Sequence, residues 1–176
     1  MTQRQGLHTL RKGILGVHMM VRLLALLGLA ALAALPAGAT EIRNANSNKL
    51  LAISGGGTSN GGNVIQWRDV NQRNARWSIE GPRTGTVKIR NSKSGLYLAV
   101  AGGGTRNGTN VIQWRDVKQP DISWRLQPAG RCFKIYNVNS RKYLAVSGGS
   151  RFDGANVTIW EDTGKRTQRG IVWCLQ

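Results

Sequence analysis

Val64-Ile65-Gln66-Trp67 returns as Val111-Ile112-Gln113-Trp114 and, in altered form, as Val157-Thr158-Ile159-Trp160. The spacings are 47 and then 46 residues, and other markers keep them. Ile42-Arg43-Asn44 recurs as Ile89-Arg90-Asn91 and Ile135-Tyr136-Asn137, and Leu51-Ala52-Ile53 recurs as Leu98-Ala99-Val100 and Leu144-Ala145-Val146. A second tryptophan closes each unit at Trp77, Trp124 and Trp173, so all six tryptophans fall into two threefold-related sets. One such unit is too small to bury its apolar face alone, and three copies must close around a shared core.

Within each unit the signals are for strands. Short β-branched runs (TVKIRN, YLAV, NVIQW, FKIYN) are separated by loops rich in Gly, Asn and Ser. Gly55-Gly56-Gly57, Gly102-Gly103-Gly104 and Gly148-Gly149 each break the chain after a strand, as tight turns require. No segment after residue 39 has helical periodicity. Roughly four strands per unit predict about twelve in all, an all-β fold closed with threefold symmetry. A β-trefoil of three repeats of about 46 residues, spanning residues 41–83, 84–130 and 131–176, is the economical solution.

Composition bounds the alternatives. At 176 residues the chain is one ordinary domain, and 40 % hydrophobic residues exclude both a disordered chain and a membrane bundle. Two cysteines and two histidines exclude a Cys/His zinc cluster and a disulfide-dense scaffold. Residues 23–35 read LLALLGLAALAAL, preceded by Arg22 and followed by Pro36 and Ala37-Gly38-Ala39. A positive n-region, a short apolar core and small residues at the cleavage site predict a secretory signal over residues 1–39, cut before Thr40. The apolar run of 13 residues is too short for a bilayer that needs about 20. The expected product is secreted or periplasmic, with no stable membrane insertion. It carries 21 basic against 8 acidic residues, a net +13 over 137 residues, and no histidine, since His8 and His18 leave with the leader.

The repeated order IRN…K-L-A-V-S-G-G…G-N-V-I-Q-W…W resembles the ricin B-type lectin domain, especially its bacterial carbohydrate-binding-module relatives. The resemblance covers nearly all of residues 41–176 and implies a β-trefoil that binds carbohydrate. In that family a sugar-binding repeat carries Asp in the strand reading L-D-V; here the matching residues are Ala52, Ala99 and Ala145. The family's closing Q-x-W has lost its Gln to Ala75, Ile122 and Ile171. Its preceding Asn survives as Asn74, while Asp121 and Gly170 replace it in the other repeats. Trp67, Trp114 and Trp160 stand at the family's stacking position, with Asp69, Asp116 and Asp162 close by in WRD, WRD and WED.

Each of those tryptophans either covers the apolar face of a pyranose or caps its own repeat. The three following aspartates either orient a sugar hydroxyl or bond their own backbone as turn residues. Repeat 1 is the foremost candidate, because it keeps Asn74 together with Trp67 and Asp69. Trp77, Trp124 and Trp173 are expected in the core; Tyr97, Tyr143 and their equivalent Leu50 are expected to pack the barrel. Cys132 and Cys174 both belong to repeat 3, whose first and last strands neighbour each other in a trefoil, so export favours a bridge between them; two buried thiols are the alternative.

Hydrolytic triads rely on histidine, and Glu161-Asp162 is the one adjacent acid pair, in an apparent loop. No enzyme activity, metal or cofactor is expected. The expected function is non-catalytic carbohydrate or glycoconjugate binding through up to three shallow sites centred on Trp67, Trp114 and Trp160. The high charge opens a second reading, a polyanion binder for acidic glycans or lipopolysaccharide; a third is the cell-binding subunit of a secreted toxin, with an unknown partner. Nucleic acid is not expected. Asn107-Gly-Thr and Asn156-Val-Thr match the glycosylation sequon.

Overall fold

The β-branched runs form twelve strands: β1 Thr40–Asn44, β2 Leu50–Ile53, β3 Val64–Trp67, β4 Arg76–Glu80, β5 Lys88–Asn91, β6 Tyr97–Val100, β7 Val111–Trp114, β8 Trp124–Ala129, β9 Cys132–Asn137, β10 Lys142–Val146, β11 Val157–Trp160 and β12 Val172–Leu175. This computed structural model describes residues 38–82, 84–116, 118–165 and 168–176. The expected leader falls on residues 1–39, of which 1–37 lie outside the described residues.

Six strands close a barrel in the order β1-β4-β5-β8-β9-β12, with β12 returning to β1. The β5–β8 seam is closed by Val87 and Trp124, whose backbone N–H groups donate to each other's carbonyls at 2.8 and 2.9 Å. The other six strands form three hairpins in identical register, from Leu50↔Trp67 to Ile53↔Val64 and at the equivalent positions of the other repeats. The hairpins meet in a ring of three amides. Asn63 Nδ2 donates to Asn156 Oδ1 (3.0 Å), Asn156 to Asn110 (2.9 Å) and Asn110 to Asn63 (2.9 Å). The Asn156 sequon is thereby committed to the fold, with Thr158 buried beside it.

The closing tryptophans are core, as their position implied. Trp77, Trp124 and Trp173 are fully buried, and each indole N–H donates to a hairpin carbonyl, of Leu51, Leu98 and Leu144, at 2.9 Å. That bond removes the cost of burying an indole donor. Leu50 is buried, while the hydroxyls of Tyr97 and Tyr143 reach Glu80 and Gln127 on the barrel wall. Cys132 and Cys174 form a disulfide between β9 and β12, with Cα atoms 4.3 Å apart.

Repeat 3 breaks the symmetry in one buried place. Gln66 and Gln113 each accept a bond from a serine hydroxyl, Ser47 and Ser94, and donate to two carbonyls of a neighbouring loop. Ile159 replaces that glutamine, and the equivalent hydroxyl of Ser140 is left without a partner among the described residues.

Candidate functional site

Repeats 2 and 3 each build a recess between the hairpin and the 3-10 turn before the closing tryptophan, and repeat 1 places Trp67 and Asn74 on the same elements. The glycines after the first hairpin strand turn the chain away, because Gly55, Gly102 and Gly148 adopt φ near +60°. The rim is then tied down by the next repeat in the cycle. Lys93 Nζ donates to the Gly56 carbonyl (2.6 Å), Asn139 Nδ2 to Gly103 (2.9 Å) and Asn46 Nδ2 to Gly149 (3.0 Å). The hairpin tryptophans are flanked likewise: the ring edges of Trp114, Trp160 and Trp67 lie against Gly61, Gly108 and Gly154 of a neighbouring repeat. Each recess is therefore completed across a seam, and one repeat alone could not form it.

Repeat 2 holds the best-equipped recess, a cavity of about 480 Å³ lined by Val100, Gly103, Ile112, Trp114, Asp121 and Asn139, among others. Asp121 lies in the 3-10 turn Pro120–Ile122, and the buried Asn137 amide fixes that turn by donating to the Asp121 carbonyl at 2.8 Å. The residue is only 6 % exposed, and among the described residues the one donor to its carboxylate is its own backbone N–H. Burial raises its pKa above the ordinary value of 3.8, partly offset by its own backbone N–H. An acceptor with unused lone pairs beside an indole is the combination that sugar recognition needs.

In repeat 1, Asn74 donates its amide to the Ile53 carbonyl at 2.8 Å, leaving Oδ1 as the acceptor. Trp67 packs on Leu50, Ala52 and Ala75, with the Arg68 guanidinium 6.0 Å from its ring centre. In repeat 3 the cavity is about 250 Å³ and is lined by Trp160, Thr158 and Gly170 among others. A side chain at Gly170 would meet the Val146 carbonyl at 2.9 Å, so no counterpart of Asn74 fits there. The Thr158 hydroxyl is wholly buried and without a partner among the described residues, so the polar side chains left on the wall of this cavity are Ser147, Thr163 and Gln168.

Asp69, Asp116 and Asp162 are placed differently from the tryptophans they follow. Each accepts the backbone N–H two residues on, from Asn71, Lys118 and Gly164 at 2.9 Å, where the chain takes a positive φ. Each also pairs with a cation of its repeat's first barrel strand: Arg43 with Asp69, Lys88 with Asp116, Lys134 with Asp162. The carboxylate pKa values are lowered accordingly, chiefly by the Asn71 N–H at Asp69 and by the lysines at Asp116 and Asp162. This geometry gives the three a turn and ion-pair role. Neither Asp116 nor Asp162 lines the cavity of its own tryptophan.

Reading by residue type overlooked Asn46, Lys93 and Asn139, which close the rims. They stand two residues after each repeated Ile-x-Asn, so superposing the repeats would have found them. Among the described residues no group of three or more His, Cys, Asp or Glu side chains could hold a metal ion.

The ricin-type β-trefoil lectin domain-like family matches residues 32–114 and 115–169. The designed threefold-symmetric protein ThreeFoil is 31 % identical, with a TM-score of 0.74 over 79 % of this chain and 98 % of its own. The exo-β-1,3-galactanase 1,3Gal43A from Clostridium thermocellum is 26 % identical, with a TM-score of 0.74 over 80 % of this chain and 30 % of that enzyme. A Polyporus squamosus lectin, solved with Neu5Acα2-6Galβ1-4GlcNAc, shares the fold at 24 % identity, with a TM-score of 0.69 over 82 % of this chain and 50 % of its own. No curated protein matches the chain by sequence. Repeat pattern, closed barrel and family match agree: the chain belongs to the ricin-type β-trefoil lectin domain-like family.

Proposed function

We propose that this protein is exported after loss of residues 1–39 and binds carbohydrate without catalysis, through up to three sites on Trp67, Trp114 and Trp160. The observation that carries the reading is the repeat 2 recess, where Trp114 shares a cavity with the Asp121 carboxylate, which no other residue's donor engages among the described residues. An indole face takes the C–H face of a pyranose, and a carboxylate accepts two hydroxyl protons. Asp121 thereby does from the 3-10 turn what the family's Asp does from the position of Ala99. Repeat 1 offers Trp67 with the Asn74 amide oxygen, and repeat 3 offers Trp160 with the polar side chains of Ser147, Thr163 and Gln168. Three unlike polar sets on one scaffold favour a multivalent binder of complex glycans over three copies of one galactose pocket.

An array of neutral and acidic glycans, read at low and high salt, tests this. Binding of neutral glycans should survive high salt and fall at least tenfold in Trp114→Ala. Silence on every glycan would contradict the reading. The net +13 of the expected mature chain supports the second reading, a polyanion binder, for which binding confined to acidic glycans and abolished by salt is the mark.

A further inference from the structure

The distance from hairpin tryptophan to closing tryptophan is 10 residues in repeats 1 and 2 but 13 in repeat 3. Aligning Gln72, Gln119 and Gln168 places the three extra residues at Lys165-Arg166-Thr167. Lys165 lines a second cleft, of about 570 Å³, on the seam between repeats 3 and 1, together with Lys134, Arg151, Asn46, Asp162 and Gln168. This cleft is distinct from the Trp160 cavity but adjoins it, since Gln168 and Ile171 line both.

We infer that this cleft binds the anionic group, sulfate or carboxylate, of an acidic glycan whose neighbouring ring lies on Trp160. Three cations face one carboxylate there. Asp162 is engaged by Lys134, while Arg151 and Lys165 have no acidic partner among the described residues. A guanidinium and an ammonium lining one cleft suit a multi-oxygen anion. Arg151 and Lys165 are particular to this seam, while the other two carry Lys93 at the position of Asn46 and Lys118 at that of Gly164. Threefold mates of Lys134 are Glu41 and Lys88, those of Arg151 are Thr58 and Thr105, and Lys165 has none. A general basic surface would not concentrate its one insertion and its added arginine at the seam beside the most exposed stacking tryptophan, Trp160 at 41 %. The inference rests on the carbohydrate reading for the ring on Trp160 and adds the class of glycan.

The test uses matched sets of neutral, sulfated and uronate-bearing glycans at about 0.15 M salt, with their affinities measured for four proteins. The wild type should prefer an anionic member at least tenfold; the sulfated and uronate arms tell which anion. Arg151→Glu with Lys165→Glu should bring that member to the affinity of its neutral counterpart. Arg125→Glu with Arg131→Glu changes the net charge equally on exposed sites elsewhere and should leave the preference within twofold. Trp160→Ala should weaken the neutral and the anionic members alike. Equal loss in both double variants, or neutral and anionic members bound equally by the wild type, overturns the cleft and leaves the carbohydrate reading standing. No binding to any member overturns both.

Discussion

Asp121 is held where its charge is disfavoured, and that gives it a measurable signature. Its folded pKa is raised, so the folded chain holds the proton more tightly than the unfolded chain does. Ionisation therefore works against folding at neutral pH, and the handicap fades as pH falls through the raised value. Asp121→Asn should thus be more stable than the wild type at pH 7, by an amount that shrinks toward pH 4, while glycan affinity at repeat 2 falls. Urea denaturation at the two pH values checks this; a variant less stable at pH 7 would contradict it. Ser140 makes a second case. Replacing the buried Ile159 by Gln restores the partner that Ser47 and Ser94 have, so Ile159→Gln should cost less than about 1 kcal/mol, where an unpartnered buried amide costs about 1–3 kcal/mol. A larger loss in thermal denaturation would show that the repeat 3 loop cannot accept the amide. Residue type alone marked Asp121 as a substitution at a family position, but its setting depends on Asn137 and Asn139, which arrive from the next repeat. Ser140's missing partner is likewise invisible until the repeats are folded together.

Strands and turns were the most legible elements, because each rests on local chemistry repeated three times. The register of β2–β3, β6–β7 and β10–β11 follows from glycines and short apolar runs, which recur at fixed spacing. Less legible was the purpose of the WRD and WED segments, since an Asp near a Trp reads equally as ligand or as turn. Their ion pairs link each turn to a barrel strand 26 or 28 residues earlier, a contact that local sequence does not announce. Asp69, Asp116 and Asp162, with Asp153 held by Lys49, all have lowered pKa values. Their stabilisation is present above the unfolded value of 3.8 and is lost as pH falls through the lower folded values. Acid unfolding should accordingly begin below about pH 4, followed by circular dichroism; onset near pH 6 would contradict these pairs. The β9–β12 disulfide closes a separation of 42 residues. Reduction should cost about 3–4 kcal/mol in the chain-entropy model. Guanidinium denaturation with and without reductant measures it, and no difference would mean that the barrel closure already supplies the constraint.

The whole molecule is a symmetric frame carrying unequal sites. Symmetry is strict where the three repeats meet, in the Asn63–Asn110–Asn156 ring and the three buried indoles. It lapses in the recesses, which carry Asn74, Asp121 and Gly170 at one equivalent position. That division explains why the fold could be read from the period alone and the sites only in part. A repeat predicts what its copies share, whereas binding here depends on where they differ and on side chains donated across seams. It also separates the six tryptophans into two testable classes within one spectrum. The most direct measurement is a 1H–15N titration of the indole N–H signals with the strongest-binding glycan from the array. The expected result is movement of Trp114 first, then of Trp67 and Trp160, with Trp77, Trp124 and Trp173 unmoved because their N–H groups are bonded to core carbonyls. Saturation by a bound glycan with Trp67, Trp114 and Trp160 all unmoved would contradict the account.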